Sequence, residues 1–299
     1  LKEGLASMDG HKFMNKLISF FGRVNYNYDE KYLFSGSLRY EGSSKFGKNH
    51  QWGLFYAASG AWRISQEKFM RNVKFVNELK LKVGYGVTGI EPTNPYQSHL
   101  RYAVGDPVLI NGQWVRTVAP TENANPDLKW EEKHELNIGL DFALFKNRLS
   151  GSIDYYRRET RDLLYTYNVP VPPNLASTTL ANVGTVENSG VEAVLSGLVV
   201  NNRDWKLNLT ANFSYNTNKL KKLSNEKYQR DFLELGSTGA PVQKSTHLVK
   251  EGGAIGNFYG WKSIGMTESG EWVIEGGEYG DNSSRTVLGN GIPTMRAGF

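Results

Sequence analysis

The sequence predicts an all-β protein whose long strands form part of an antiparallel transmembrane β-barrel. Residues 133–158 give the first observation: two arms of alternating apolar and polar residues, joined by a turn at residues 146–148. Such alternation gives a strand one apolar and one polar face, and two such arms around a tight turn form a hairpin. Each arm alternates over about nine residues or more, which crosses a tilted bilayer, whereas strands usually have about five or six.

Composition is the second observation. The 299 residues include 14 Phe, 16 Tyr, 7 Trp and 32 Gly, which is typical of all-β architecture. No segment approaches the roughly 20 apolar residues of a membrane-spanning helix, while a barrel strand needs only alternate apolar residues. The sequence has no cysteine, which excludes disulfides and thiolate metal sites. The net charge of +5 is spread along the chain, and its densest basic run, residues 219–222, indicates a solvated loop rather than a nucleic-acid site.

Connection length is the third observation. The segments that alternate are residues 17–28, 32–41, 52–62, 79–88, 133–144, 149–158, 187–199 and 205–216. Connections after the first, third, fifth and seventh segments are short or modest, and those after the others are longer. Outer-membrane barrels show this asymmetry, with short periplasmic turns and long extracellular loops. Tyr26, Phe145, Trp205 and Tyr215 lie near strand ends, as the aromatic girdles of such barrels require.

Proline marks two of the long connections. Residues 89–132 contain five prolines and residues 159–186 contain three, which a central strand cannot accommodate. Residues 65–77 are expected to hold one helical turn, and residues 217–293 form the longest connection before a ninth strand begins. We interpret the chain, which starts at Leu1 without a signal peptide, as an internal piece of a longer polypeptide.

A soluble or surface-attached β-sandwich that binds glycans without transport is the alternative, because sandwich strands also alternate between two faces. Periodicity alone does not separate the two architectures. Strand length, alternating connection lengths and terminal aromatic residues together favour the barrel. An open sheet would expose two unpaired edges, so further chain is expected to close the wall.

Several motifs, in the same order along nearly the whole chain, resemble the SusC/RagA family of TonB-dependent outer-membrane transporters. They are GRVNY at residues 22–26, KYL at 31–33, RYEGSSKFG at 39–47, WRIS at 62–65, NPDLKWE at 125–131, NIGLDF at 137–142, NVG at 182–184, NSGVE at 188–192, FYG at 258–260 and GIP at 291–293. Each motif alone is weak, whereas the ordered set is specific. Glu41 stands where the family usually has Asp, and residues 56–58 depart from a Phe-Pro-Ser-like segment, but the strand pattern is undisturbed.

The resemblance implies a barrel of about 22 strands that encloses a plug domain. Residues 1–299 would then be part of this single barrel domain, a wall of about eight or nine strands. The plug, the signal peptide and the TonB-contacting segment would lie outside this chain. The implied location is the outer membrane of a Gram-negative bacterium, and the implied activity is import of an oligosaccharide or peptide. The implied partners are TonB, a SusD-like lipoprotein that acts as a lid, membrane lipid and the substrate, with no nucleic acid among them.

The chain is not expected to be an enzyme. Its five histidines are scattered without metal-ligand spacing, and Glu131 and Glu132 indicate solvated carboxylates rather than an acid–base pair. The GYG sequence at residues 84–86 lies within a strand, so it is not a phosphate-binding loop. Residues 281–283 carry oxygen atoms suited to Ca²⁺, but a polar turn accounts for them, and no cofactor is expected.

Aromatic residues in the long loops are the candidate contacts to the substrate or to the lid. These residues are Trp114, Tyr167, Phe258, Tyr259, Trp261 and Trp272. Aromatic rings anchor protein interfaces and offer apolar faces to sugars, although loops that pack on one another would use the same residues. Charged residues on the polar strand faces, such as Arg39, Lys82 and Asp141, are expected to contact the plug and water rather than the substrate.

Overall fold

The computed structural model describes residues 12–240, 243–276 and 285–289, and its regular structure is almost entirely β. The first ten strands are β1 (Leu17–Tyr28), β2 (Tyr32–Ser43), β3 (Trp52–Arg63), β4 (Val76–Ile90), β5 (Arg101–Val104), β6 (Val108–Ile110), β7 (Gln113–Val115), β8 (Val118–Glu122), β9 (Glu131–Leu144) and β10 (Leu149–Asn168). The others are β11 (Thr178–Asn201), β12 (Lys206–Lys222), β13 (Phe232–Leu235), β14 (His247–Lys250), β15 (Phe258–Gly260), β16 (Ser263–Met266), β17 (Trp272–Ile274) and β18 (Thr286–Gly289). The ninth long strand, expected to begin after residue 293, lies outside the described residues.

The eight long strands form one antiparallel sheet in the order β1-β2-β3-β4-β9-β10-β11-β12. At one end of this sheet, which we call the short-turn end, the connections are residues 29–31, 64–75, 145–148 and 202–205. At the opposite end, the long-loop end, the sheet is joined through residues 44–51, 91–130 and 169–177. Connection lengths alternate as predicted between residues 29–31, 145–148 and 202–205 and their longer neighbours, but residues 64–75 are longer than 44–51 and 169–177. The predicted helical turn after β3 is present, where Ile64–Gln66 and Lys68–Met70 form 3₁₀ turns.

The hairpin of residues 133–158 has the predicted register. Ile138 lies opposite Tyr155, and Leu140 lies opposite Ile153, so both apolar sets share one face. The backbone reverses at Phe145, Lys146 and Asn147, which have φ values of 52°, 55° and 61°. Three successive left-handed residues make a tight turn without glycine, and the Arg148 N–H closes it on the Phe145 carbonyl at 3.3 Å.

The apolar face of the sheet is uncovered. Its side chains include Val24, Phe34, Leu54, Val83, Ile153 and Phe213, each between 44% and 65% exposed. A water-soluble protein rarely leaves so continuous an apolar surface in contact with solvent, whereas a barrel presents such a band to lipid. The sandwich alternative requires a second sheet packed on this face, and the described parts of the chain place none there. The sheet is therefore part of a barrel wall.

The polar face carries two depressions, with volumes of about 630 and 290 Å³. Ser35, Ser59, Gly84 and Asn137 contribute to the lining of both depressions. These residues are small or polar, so little side-chain bulk covers the backbone on this face and water can contact it. This is the composition expected of a face that looks into a lumen.

The predicted loop at residues 159–186 is wrong over most of its length. β10 continues to Asn168 and β11 begins at Thr178, which leaves only residues 169–177 as the connection. The sequence did not reveal this extension because a bulge at Asp162, which has a φ of 56°, interrupts the alternation of apolar and polar residues. Ion pairs between strands, such as Lys221–Glu159 at 2.6 Å, support this region, where the face is charged rather than apolar.

Two other long connections contain more structure than the sequence predicted. β12 extends to Lys222, so the connection expected from residue 217 begins at residue 223. Residues 91–130 hold two small antiparallel pairs, β5 with β8 and β6 with β7. In the part of the chain that the structure describes, no helix has both the length and the apolar content needed to cross a membrane.

Candidate binding surface at the long-loop end

An aromatic cluster forms the base of the long-loop end. The Phe46 and Trp130 rings lie 4.5 Å apart between centroids, and the Phe55 ring meets Trp130 edge-on at 5.2 Å. All three rings and Val87 are buried, and the Trp130 indole N–H donates to the Gln51 carbonyl at 3.2 Å. The cluster brings together β3, β4 and the connections on either side of them. It therefore fixes the platform from which the longer loops project.

The motifs at residues 39–47 and 125–131 meet in this platform. The Gly47 N–H donates to the Leu128 carbonyl at 2.9 Å, and a Cβ at Gly47 would lie only 2.1 Å from the Pro126 carbonyl oxygen. Only glycine permits this approach of two backbones. These two motifs thus serve to lock loops together, which explains their residue types without a direct contact to a substrate.

Three asparagines tie the connection of residues 91–130 to the hairpin of β10 and β11. Asn123 donates to the Ala176 and Thr178 carbonyls at 2.7 and 2.9 Å, and its oxygen accepts from the Ala176 N–H at 3.0 Å. Asn125 donates to a β11 carbonyl, and Asn182 bonds both the N–H and the carbonyl of the Lys129 backbone. A side-chain amide offers a donor and an acceptor, so each asparagine replaces a missing strand partner.

Tyr167 lies inside the long-loop end rather than on its surface. Its side chain is 1% exposed, and its hydroxyl donates to the Leu223 carbonyl at 2.8 Å. Its ring lies 5.5 Å from Tyr165 and 5.3 Å from Tyr228. Burial raises the pKa of Tyr167 to about 12, so its phenol remains a donor at any physiological pH. Of the candidate contact residues, this one serves as packing.

Phe258 and Tyr259 lie in β15 of a small sheet formed by β13, β14, β15 and β18, and Trp261 follows directly after β15. Phe258 packs against His247 with ring centroids 4.9 Å apart. The Arg285 guanidinium lies 4.0 Å from the Tyr259 ring centroid and 5.5 Å from that of Trp261. Both geometries allow cation–π attraction. These three aromatic side chains are half-buried, so most of their surface supports the loop itself.

Trp114 and Trp272 differ from the other aromatic candidates in their surroundings. Trp114 lies in the β6–β7 hairpin, opposite Leu109, and is 72% exposed. Trp272 lies opposite Met266 in the β16–β17 pair and is half-buried. The structure thus separates one fully presented indole, Trp114, from five aromatic residues that are partly or wholly packed. From the sequence alone, all six residues were equal candidates for contact with the substrate or the lid.

Charged residues on the polar face of the sheet pair with one another. The ion pairs join Lys80 to Asp141, Lys82 to Asp141 and Asp154, and Arg39 to Glu41, with N–O distances between 2.5 and 3.2 Å. Paired charges present little net field toward the lumen. Their contact with a plug domain remains a prediction.

The two carboxylates at the start of β9 are consecutive residues and so point to opposite faces. Glu131 accepts from the Leu164 N–H at 3.3 Å, and burial raises its pKa. Glu132 lies 3.2 Å from the His134 ring nitrogen. Glu131 is thus a partly buried structural acceptor. Among the residues that the structure describes, no His, Asp and Glu side chains gather as a metal site, and residues 281–283 lie outside them.

Comparison with protein families decides which kind of barrel this is. The family described as "TonB dependent receptor-like, beta-barrel" matches residues 7–294. The chain belongs to this family. Its members are outer-membrane proteins of Gram-negative bacteria and are not enzymes, so the predicted fold class, location and lack of catalysis are confirmed.

Curated relatives agree with this assignment. A TonB-dependent receptor of Formosa agariphila is 35% identical over 100% of this chain and 32% of its own length. The TonB-dependent receptor SusC of Bacteroides thetaiotaomicron is 32% identical over 84% of this chain and 25% of its own length. The chain thus spans between a quarter and a third of these TonB-dependent receptors.

Solved structures of the family have the same sheet. The RagAB peptide importer in its open-open state superposes with a TM-score of 0.78 at 27% identity, over 92% of this chain and 29% of that one. A second structure of the RagAB peptide transporter gives a TM-score of 0.72 at 28% identity, over 91% of this chain and 28% of that one. The resemblance to SusC/RagA, first seen in the sequence motifs, is confirmed.

Proposed function

We propose that this chain is a wall section of an importer that takes up a nutrient across the outer membrane with energy from TonB. Residues 1–299 then belong to one barrel domain, and the plug and the signal peptide belong to other parts of the polypeptide. The nutrient is an oligosaccharide or a peptide. The RagAB structures are named as a peptide importer, which supports peptide as one class, and the resemblance to the SusC/RagA family supports oligosaccharide as the other.

The observation that carries this proposal is the contrast between the two faces of the long sheet. One face is a continuous band of exposed apolar side chains such as Val24 and Phe213. The other carries paired charges and depressions lined by small residues such as Ser35 and Gly84. A lipid-facing exterior and a wet interior follow from that contrast. Transport through the interior requires both surfaces at once.

The long-loop end supports a second part of the proposal, which is docking of a SusD-like lipoprotein. The aromatic platform and the asparagine ties fix the base of this end, from which the loops project. Trp114 stands out from it, and indoles are enriched among interface residues that dominate binding. We also assign Phe258, Tyr259, Trp261 and Trp272, which lie in the connection after β12, to this docking surface. We assign the long-loop end to the cell exterior because barrels of this kind carry their long loops there.

Lid affinity tests the docking proposal. In the full-length transporter, Trp114→Ala is expected to weaken binding of the purified lipoprotein by about 2 kcal/mol, which is roughly 30-fold. Phe69→Ala is the matched control, because Phe69 is also 64% exposed but lies at the short-turn end. Calorimetric titration of each variant gives the affinities. Equal affinities for Trp114→Ala and wild type would remove Trp114 from the interface.

Uptake tests the import proposal separately. Cells that carry the full-length transporter should accumulate the labelled nutrient only while TonB is present and the proton gradient is intact. Uptake that persists without TonB would show a passive pore and would overturn the proposal.

A further inference from the structure

A cavity of about 250 Å³ opens at the far end of β10, among the loops of the long-loop end. Its lining residues are Tyr167, Asn168, Gln229, Arg230, Asp231 and Phe232. We call it the Asn168 cavity. It lies away from the polar face of the sheet, and none of the sequence motifs includes its residues. Only the buried Tyr167, at its base, was a candidate contact on sequence grounds.

The polar side chains around this cavity have unused hydrogen-bonding capacity. Within the described part of the chain, the Asn168 amide and the Asp231 carboxylate make no side-chain hydrogen bond or ion pair. Gln229 uses only its amide N–H, on the Asn225 carbonyl, so its side-chain oxygen is free to accept. Arg230 uses its Nε on the Phe232 carbonyl at 3.1 Å, which leaves its terminal nitrogens as donors. Donors and acceptors therefore surround one small space.

The wall of the cavity is held in place. The Ser224 hydroxyl donates to the Arg230 carbonyl at 2.8 Å and accepts from the Arg230 N–H at 2.9 Å. The Arg230 guanidinium lies 5.2 Å from the Tyr165 ring centroid. Tyr167 forms a rigid base because its hydroxyl is bonded to the backbone. The Arg230 backbone and the Tyr167 ring are therefore fixed before a ligand binds, which lowers part of the entropic cost of binding.

The chemistry of the lining selects the class of ligand. The Asn168 and Gln229 amides carry both donors and acceptors, the Arg230 guanidinium only donors and the Asp231 carboxylate only acceptors, and this mixture suits adjacent hydroxyl groups. The single positive and single negative charge cancel, so neither an anion nor a cation is favoured. Phe232, which is 42% exposed, adds an apolar ring at the rim. The volume is below the range of about 300 to 1,000 Å³ that drug-sized ligands occupy, so it suits one or two sugar rings.

Resting on the proposed function, we infer that the Asn168 cavity binds a neutral sugar unit of an oligosaccharide on its way to the lumen. A peptide is the poorer fit. Peptides bind through a free strand edge or through apolar pockets for their side chains, and this lining is mostly polar. The cavity thus favours the glycan among the two nutrient classes.

Titration of the full-length transporter with neutral hexasaccharides tests this inference. The probes are the α-1,4-linked glucose, β-1,4-linked glucose, β-1,4-linked mannose and β-1,4-linked xylose hexamers, together with a pool of random hexapeptides. Wild type is expected to bind at least one hexasaccharide. The double variant Asn168→Ala/Asp231→Ala should weaken that binding at least tenfold. Both side chains are exposed and unbonded, so the fold should be kept, which the thermal transition checks.

Glu226→Ala is the matched control, because Glu226 is an exposed carboxylate of the same loop that does not line the cavity. It should bind the hexasaccharide like wild type. The inference is overturned if no hexasaccharide binds, if the double variant binds as tightly as wild type, or if the double variant loses only hexapeptide binding. TonB-dependent uptake that is retained in any of these cases would leave the import proposal standing.

Discussion

Replacing Ile138 by arginine tests the assignment of the apolar face to lipid. Ile138 lies on that face of β9, opposite Tyr155 and Val83, and is 40% exposed. It precedes the end of β9 at Leu144 by six residues. A rise of about 3.4 Å per residue and a tilt of about 40° place it roughly 16 Å along the barrel axis from that end. The lipid-facing band is about 25 Å tall, so Ile138 lies near its middle.

The expected cost of Ile138→Arg follows from this depth. A guanidinium on the lipid face near the midplane lowers the free energy of unfolding by about 2–4 kcal/mol. That loss shifts the folding equilibrium by roughly 30- to 700-fold. Asn137→Arg is the control, because the adjacent side chain lies on the polar face and donates to Glu135 there. It should cost less than about 1 kcal/mol, since the new arginine reaches water and a carboxylate.

Depth provides a second control within the same experiment. Leu209 also lies on the apolar face, but it is close to the end of the sheet. Its partner on β11 is Gly197, and the partner of Gly197 on β10 is Leu149, the first residue of that strand. Leu209 therefore lies near the short-turn end, where an arginine on the lipid face lowers the free energy of unfolding by only about 0–1 kcal/mol. Urea titration of the full-length transporter in lipid vesicles gives the three unfolding free energies. Equal losses for Ile138→Arg and Asn137→Arg would refute the facing, and a larger loss for Leu209→Arg would refute the depth.

Three more predictions follow from the loops and turns. A cysteine at position 147, in the β9–β10 turn, should resist a membrane-impermeant thiol reagent in intact cells, while one at Asn111 should react; the reverse labelling would invert the proposed orientation. Trp130→Ala should lower the free energy of unfolding by about 3–5 kcal/mol, because it empties the buried aromatic cluster, and the exposed Trp114→Ala should change it by less than about 0.5 kcal/mol; similar denaturant midpoints for both would refute the cluster. Tyr167→Phe should cost about 1–3 kcal/mol by leaving a buried carbonyl unbonded, as measured by thermal unfolding. Because the pKa of Tyr167 is about 12 in the folded protein and about 10 in the unfolded chain, wild type should lose stability as the pH rises from 10 through 12. Tyr167→Phe should not show this loss, and an equal loss in the variant would contradict the prediction.

The sequence alone predicted the long strands, their faces and the alternation of short and long connections. Which face a strand residue takes depends only on its position in an alternating pattern, so residues 133–158 could be assigned to two faces without any other part of the chain. The order of the family motifs then identified the kind of barrel. Those motifs did not reveal why their residues are needed, because Gly47 meets Pro126 from a distant segment.

Tertiary structure decided where the strands end and which aromatic residues are presented. β10 continues beyond the apolar band, where charged residues of different strands pair, as Glu159 does with Lys221 of β12. A charged stretch of sequence shows neither the partner strand nor the bulge at Asp162. Likewise, Tyr167 and Trp114 are both loop aromatics in the sequence, yet one is 1% exposed and the other 72%. Exposure depends on which distant segments pack against a side chain, and that is fixed only when the loops are folded together.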